Sequence, residues 1–337
     1  MKSLYPILEQ AVLSVKLLKA ALKTYLRRQQ RGPQFPNWSW LHESLVELIF
    51  GTVYAYEHID AQELRTLFNR VGVVPVLSTV KIKPVRLGSV PGEVLLPTKP
   101  TEHRVVLFFH GGGYVAGSPR SHRLLTTRIA EEARARLYSM DYRLAPEHPY
   151  PAAHDDCYNA WRGLLHSGVD PARCVLFGES CGGSLAMGLL QRLRDAGSPM
   201  PAAFVSLTGW FDLAVADSGS AGPDPFLTPQ WVRNRATDYL AGALPLDAPQ
   251  VSAAYADPSG LPPLYLQIGE HDTMREGALT LGCNAIRAGV DVTLESWPGA
   301  IHGWHGLVNA GVPEAQAAWR AIRRYLDTLA ETTHAPG

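Results

Sequence analysis

The sequence predicts an α/β fold, a mostly parallel sheet covered by helices on both faces. From about residue 78, short apolar, β-branched runs alternate with segments of helical period. The chain of 337 residues is 46% apolar and 18% charged, enough for one large core with an appendage.

Three helical patterns come before any strand. Leu4, Ile7, Leu8, Ala11, Val12, Val15, Leu18, Leu22 and Leu26 recur at helical spacing and stop near the breaker pair Gly32-Pro33. Apolar-periodic stretches at 41–50 and 61–71 follow. The first carries seven basic residues against Glu9 over positions 1–31, 7 − 1 = +6. Such a helix either packs on the protein body or lies on a membrane surface.

The strand-like runs are 80–87, 93–96, 104–109, 137–140, 174–177, 204–207, 264–268 and 292–296. Helices are expected at 121–135, 154–167, 181–196, 276–289 and 313–330. The early strands lack helices between them, which predicts an antiparallel start. Positions 212–262, rich in Pro, Gly, Asp and Ser, read as an insertion above the sheet with a short helix near 229–241.

Charge and cysteines narrow the classes. Lys+Arg and Asp+Glu are 31 each, so the whole-chain charge gives no pull toward nucleic acid. Cys157, Cys174, Cys181 and Cys283 are scattered without a CxxC pair, which predicts reduced thiols. Three of them read as small buried hydrophobes, and Cys181 stands apart because it follows a candidate nucleophile. No stretch reaches the about 20 apolar residues of a spanning helix. Glu9, Lys16 and Lys19 interrupt any signal-peptide core, so a cytoplasmic location is expected.

Gly178-Glu179-Ser180-Cys181-Gly182 fits G-x-S-x-G. Alone the pattern is weak, but here a buried strand precedes it and a helix follows. Nucleophilic serine chemistry needs that tight strand-to-helix turn, with the hydroxyl held clear of the sheet and a helix N-terminus behind it. A phosphate-binding glycine turn is the competing reading, and it lacks the lysine and spacing of a P-loop. His110-Gly111-Gly112-Gly113 follows another strand, and its glycines free backbone N–H groups to face a carbonyl oxygen. Gly112, Gly113 and the N–H of Cys181 are the candidate oxyanion donors, with His110 shaping the loop.

In elbow hydrolases the acid and then the histidine follow the nucleophile along the chain. Asp272 and His302 lie just beyond two late strands and fit that order, with Glu270 and His305 as neighbours to weigh. His302 is preferred because it is nearer the strand end and followed by glycine. A metal site from His271, Asp272, His302 and His305 is a weaker alternative, since the serine turn already explains the pair.

Taken together, these residues resemble the bacterial hormone-sensitive-lipase-like esterases, a branch of the α/β hydrolases. The resemblance runs from about residue 85 to the C-terminus. It rests on His110-Gly-Gly-Gly-Tyr-Val-Ala-Gly-Ser118, Asp141-Tyr-Arg-Leu-Ala-Pro-Glu-His-Pro-Tyr-Pro151, the serine block, Leu261-Pro-Pro263, Gly269 to Asp272 and His302-Gly303. It implies an α/β-hydrolase fold with an eight-stranded, mostly parallel sheet. The helical cap would come from residues 1–75 and the insertion 212–262, over a catalytic domain at 76–337. It also implies hydrolysis of short- to medium-chain acyl esters through an acyl-enzyme, with no cofactor and no metal. The family's nucleophile falls on Ser180, its acid on Asp272, its base on His302 and its oxyanion glycines on Gly112 and Gly113. Asp141, Arg143 and Glu147 match a structural block.

Two departures stand out. Glu179 and Cys181 replace the commoner Asp and Ala around the serine, and Thr273-Met274 replace the usual Pro-Leu after the acid. The expected partner is a small-molecule ester. Nucleic acid is not expected, nor is a spanning membrane segment. Peripheral membrane contact through residues 1–31 and a homo-oligomer both stay open. A ligand receptor on the same fold is the contrasting class, disfavoured because the plant receptors of this family have lost the histidine that is present here as His302. Trp38, Trp40, Trp210, Phe211 and Phe226 are aromatic candidates for pocket walls.

Overall fold

The computed structural model describes residues 5–36, 38–53, 59–72, 76, 78–101, 104–215, 224 and 227–332. Helices α1 (Tyr5–Arg31), α2 (Trp40–Val53) and α3 (Ala61–Val71) precede strands β1 (Lys81–Leu87), β2 (Val90–Leu96) and β3 (Val105–Phe109). Then α4 (Arg123–Ala133), β4 (Arg136–Met140), α5 (Ala152–His166), β5 (Cys174–Glu179), α6 (Cys181–Asp195) and β6 (Ala203–Leu207) alternate. The chain continues through α7 (Pro229–Leu240), β7 (Leu264–Gly269), α8 (Arg275–Arg287), β8 (Val292–Trp297) and α9 (Pro313–Thr332).

The strands form one eight-stranded sheet in the order β1-β2-β4-β3-β5-β6-β7-β8. β1 pairs antiparallel with β2, and β2 antiparallel with β4, which is the antiparallel start expected above. The remaining pairs are parallel. β2 begins at Val90, three residues before the expected start. Pro91-Gly92 reads as a turn, yet Gly92 pairs with Met140, and a Cβ there would stand 2.4 Å from Ser139 O. Only glycine lets the two strands close.

The central parallel strands β3, β5, β6 and β7 are buried on both faces, and the edge strands β1 and β8 are partly exposed. Along β3, Leu107 and Phe109 pack on the α5, α6 and α8 side, and Val106 and Phe108 pack on the α4 and α9 side. β5 alternates likewise, Leu176 on the first face and Val175 and Phe177 on the second. Each such side chain contributes about 1.5–3 kcal/mol by leaving water.

The N-terminal helices are tied down by specific bonds. α3 starts on a capping box, Glu63 N–H donating to Asp60 Oδ1 at 2.8 Å and Asp60 N–H to Glu63 Oε2 at 3.3 Å. α1 turns Ala20 and Thr24 inward, and Arg27 and Arg28 both pair with the buried Glu43 of α2. From α3, Arg65 reaches Val115 O at 2.7 Å and Ala145 O at 2.8 Å and pairs with Glu147. In the structural block, Arg143 forks onto Asp156. Part of the 212–262 insertion, together with Phe226, lies outside the described residues. No helix among those described is long and apolar enough to cross a membrane.

Candidate active site

Ser180 sits between the end of β5 and the first residue of α6, with φ 53° and ψ −126°. This is the left-handed half of backbone space, costly for a residue with a Cβ and persistent only where the surroundings impose it. They do so here. Ser180 N–H donates to Leu207 O at 3.1 Å, and Ser180 O accepts from Gly183 N–H and Trp210 N–H, both at 2.9 Å. A Cβ on Gly178 would stand 2.5 Å from Gly182 O, and one on Gly182 would stand 2.1 Å from Phe109 O. The motif's two glycines are therefore demanded by strand and helix packing against each other.

The glycine loop after β3 lies directly over this turn. A Cβ on Gly111 would meet the Glu179 carboxylate and stand 2.9 Å from Ser180 Cβ. Gly112 and Gly113 have φ of 116° and 63°, and their N–H groups have no main-chain acceptor among the described residues. His110 stays behind the loop. It is fully buried, its Nδ1 lies 2.8 Å from Gly111 O, and burial, reinforced by His122, lowers it to about 3. It is a neutral prop.

Asp272 and His302 extend from the carboxyl ends of β7 and β8. His302 Nδ1 lies 3.0 Å from Asp272 Oδ1, both groups buried, and Met274 N–H donates to the same oxygen at 2.8 Å. Burial works against the imidazolium, but the Asp272 carboxylate outweighs it, with smaller help from Glu179 and Asp224, and His302 is raised to about 9. The neighbours weighed from sequence are occupied elsewhere. Glu270 accepts from Gly299 N–H at 2.7 Å, and His305, buried and lowered to about 3, sits 2.8 Å from Gln267 Oε1. His271 stacks on Phe35 at 3.8 Å, and among the described residues no three His, Cys, Asp or Glu are grouped to hold a metal ion. A Cβ on Gly303 would stand 4.0 Å from Glu179 Oε1, so the histidine loop meets the serine turn.

The α/β-hydrolase family pattern matches residues 106–306. The chain belongs to the α/β-hydrolase family. Within it the hydrolase is 38% identical over 247 residues to an acetyl-hydrolase of Streptomyces hygroscopicus, covering 72% of this chain and 82% of the relative. It is 30% identical over 258 residues to an esterase of Acinetobacter venetianus, covering 76% and 84%. A solved esterase from the bacterial hormone-sensitive lipase family superposes with a TM-score of 0.78 at 34% identity, covering 84% of this chain and 97% of that one. These matches place the hydrolase in the hormone-sensitive-lipase branch.

One expectation about the cysteines needs correction. Cys283 is exposed, not a buried hydrophobe, whereas Cys157 and Cys174 are buried. The Cys181 thiol does not face the site. It points into the core, takes Tyr114 N–H at 3.2 Å, and is raised to about 12 by burial against the lowering pull of that amide. So hidden and protonated a thiol should resist alkylation, which activity retained after iodoacetamide would check. Four of the aromatic candidates have defined surroundings. Trp38 donates to Gly299 O, Trp40 is exposed, and Trp210 is buried with Nε1 bonded to Asp212 O at 2.7 Å. Phe211 packs beneath Gly183 and Gly209.

Two residues of the hydrolase escaped sequence reasoning. Trp231 of α7 is the aromatic set against the glycine loop after β3, since a Cβ on Gly113 would stand 2.8 Å from its ring. Asp224 is a buried acid whose Oδ2 accepts at 3.0 Å from the N–H of Thr273, next to Asp272 in sequence. The only sequence signal for Trp231 is the Thr228 N-cap with Pro229, which places the tryptophan on the first turn of α7. Asp224 has no such signal.

Proposed function

We propose that this chain, a carboxylic-ester hydrolase by family, cleaves short- to medium-chain acyl esters through an acyl-enzyme on Ser180. His302 serves as base and Asp272 orients it. The observation that carries this reading is the buried 3.0 Å contact between His302 Nδ1 and Asp272 Oδ1, set in loops that meet the strained serine turn. Asp272 holds the Nδ1 proton, which leaves Nε2 free to take the serine proton. Ser180 Oγ attacks the acyl carbon and His302 takes that proton. The oxyanion accepts from the N–H groups of Gly112, Gly113 and Cys181, each worth about 3–4 kcal/mol in the transition state. Collapse expels the alcohol, which takes the proton from His302. Water then attacks the acyl-serine by the same route and releases the acid.

Residues 1–75 and 212–262 form the cap over the 76–337 body in this reading. Its support is the reach of Arg65 to Val115 O, of Arg235 to Ile59 O at 3.0 Å, and of Trp231 to the oxyanion loop. The test is hydrolysis of p-nitrophenyl esters of increasing acyl length. Ser180→Ala should lose about 10⁴ or more in rate at unchanged melting temperature. His302→Ala should be comparably dead and His305→Ala active when folded. A tenth of wild-type rate in Ser180→Ala would move the nucleophile elsewhere.

A further inference from the structure

Among the described residues, exposed large apolar side chains concentrate on one helix. Val15, Leu18, Leu22, Tyr25 and Leu26 of α1 are all more than half exposed, Leu18 at 70%. Their three-and-four spacing puts them on a single stripe. The opposite face, with Ala20 and Thr24, is the one packed on the protein. Being part of the folded body thus leaves the outward face of α1 uncovered. Contiguous apolar surface of this kind marks an interaction site.

Charge selects the occupant. Lys16, Lys19 and Lys23 follow the stripe along one flank, at positions one or four residues from its members. Lys16 and Lys19 have no ion-pair partner among the described residues, while Lys23 is exposed and shared with Glu47. Across residues 1–31 the only acid is Glu9. A second copy of this helix would therefore bring lysines against the stripe's flank and no carboxylate to meet them. An anionic bilayer meets both features, because its acyl boundary takes the apolar stripe and its phosphates take long lysine side chains that bend outward.

We propose that the outward face of α1 docks in the plane of an anionic lipid surface. The stripe enters the headgroup–acyl boundary and the lysine flank contacts phosphates. Each lysine near such a surface strengthens binding about fivefold, and salt weakens that part.

The experiment is co-sedimentation of the full chain with vesicles of phosphatidylcholine, with and without phosphatidylglycerol, alongside light scattering of the free protein. Hydrolysis of a soluble p-nitrophenyl ester is followed in parallel. Wild type should pellet with the anionic vesicles only and leave them at high salt. Leu18→Asp combined with Leu22→Asp should abolish pelleting, and Lys16→Glu combined with Lys19→Glu should weaken it about 25-fold or more. Both double variants alter exposed positions and should keep wild-type hydrolysis of the soluble ester, which separates failed docking from failed folding. Equal binding to neutral vesicles, or none to anionic ones, overturns the proposal. So does a wild-type dimer that the Leu18/Leu22 variant converts to monomer, because a second copy would then own the stripe.

Discussion

At His302 two opposing effects meet, and the winner determines how the hydrolase responds to pH. Burial favours the neutral ring, while the Asp272 carboxylate at 3.0 Å favours the charged one and prevails, lifting the group from 6.5 to about 9. The proposed base works only when neutral, so kcat/KM should climb with pH through a midpoint near 9 and level off above it. Asp272→Asn removes the main raising influence. Its ascending limb should move to lower pH, while its plateau drops by up to about 10⁴ as the wrong tautomer is favoured. A pH–rate profile of both proteins reads the two effects separately, and an unmoved limb would detach that limb from His302. Stability follows the same residue with a definite sign. A folded-state value above the unfolded 6.5 adds stability below pH 6.5, and that contribution fades as pH rises through about 9.

Among elements, the loop after β7 shows what a departure from a family pattern can do. Thr273 stands where relatives commonly carry proline, and it uses both groups that proline lacks. Its N–H donates to Asp224 and its hydroxyl donates to Leu227 O at 2.8 Å, tying residues 224–227 to the loop that carries Asp272. Thr273→Val should cost about 1–3 kcal/mol in urea unfolding by orphaning the Leu227 carbonyl, with kcat near wild type. Thr273→Pro should cost more, because Asp224 is then buried without that donor. Equal stability of all three proteins would show that the tie contributes nothing. The central strands were legible beforehand because burial on both faces makes them uninterrupted apolar runs. The serine turn was legible because its glycines, the serine, and the flanking strand and helix patterns are contiguous in sequence. Asp224 and Trp231 were not. Their partners, Thr273 and the Gly113 loop, lie far off in sequence, and only the packed molecule brings them together. The inward turn of the Cys181 thiol depends likewise on Tyr114, 67 positions away.

Across the whole molecule, the first forty residues grip the last third. Phe35 stacks on His271, Trp38 donates to Gly299 O, and Ser39 N–H donates to Glu314 Oε1 at 2.9 Å. Trp38→Ala should cost about 3–5 kcal/mol by urea unfolding, since the indole is 2% exposed. It should also lower kcat, because Gly299 begins the loop that carries His302. Unchanged kcat would mean that the loop holds itself. The Trp38 bond spans 261 positions of chain. A ribosome adding about 5–20 residues per second therefore leaves the Phe35–Trp38 segment waiting on the order of 13–50 s before its dock exists. Through that interval the nascent chain carries these bare aromatic rings, and the hydrolase cannot begin work until its final third has been translated.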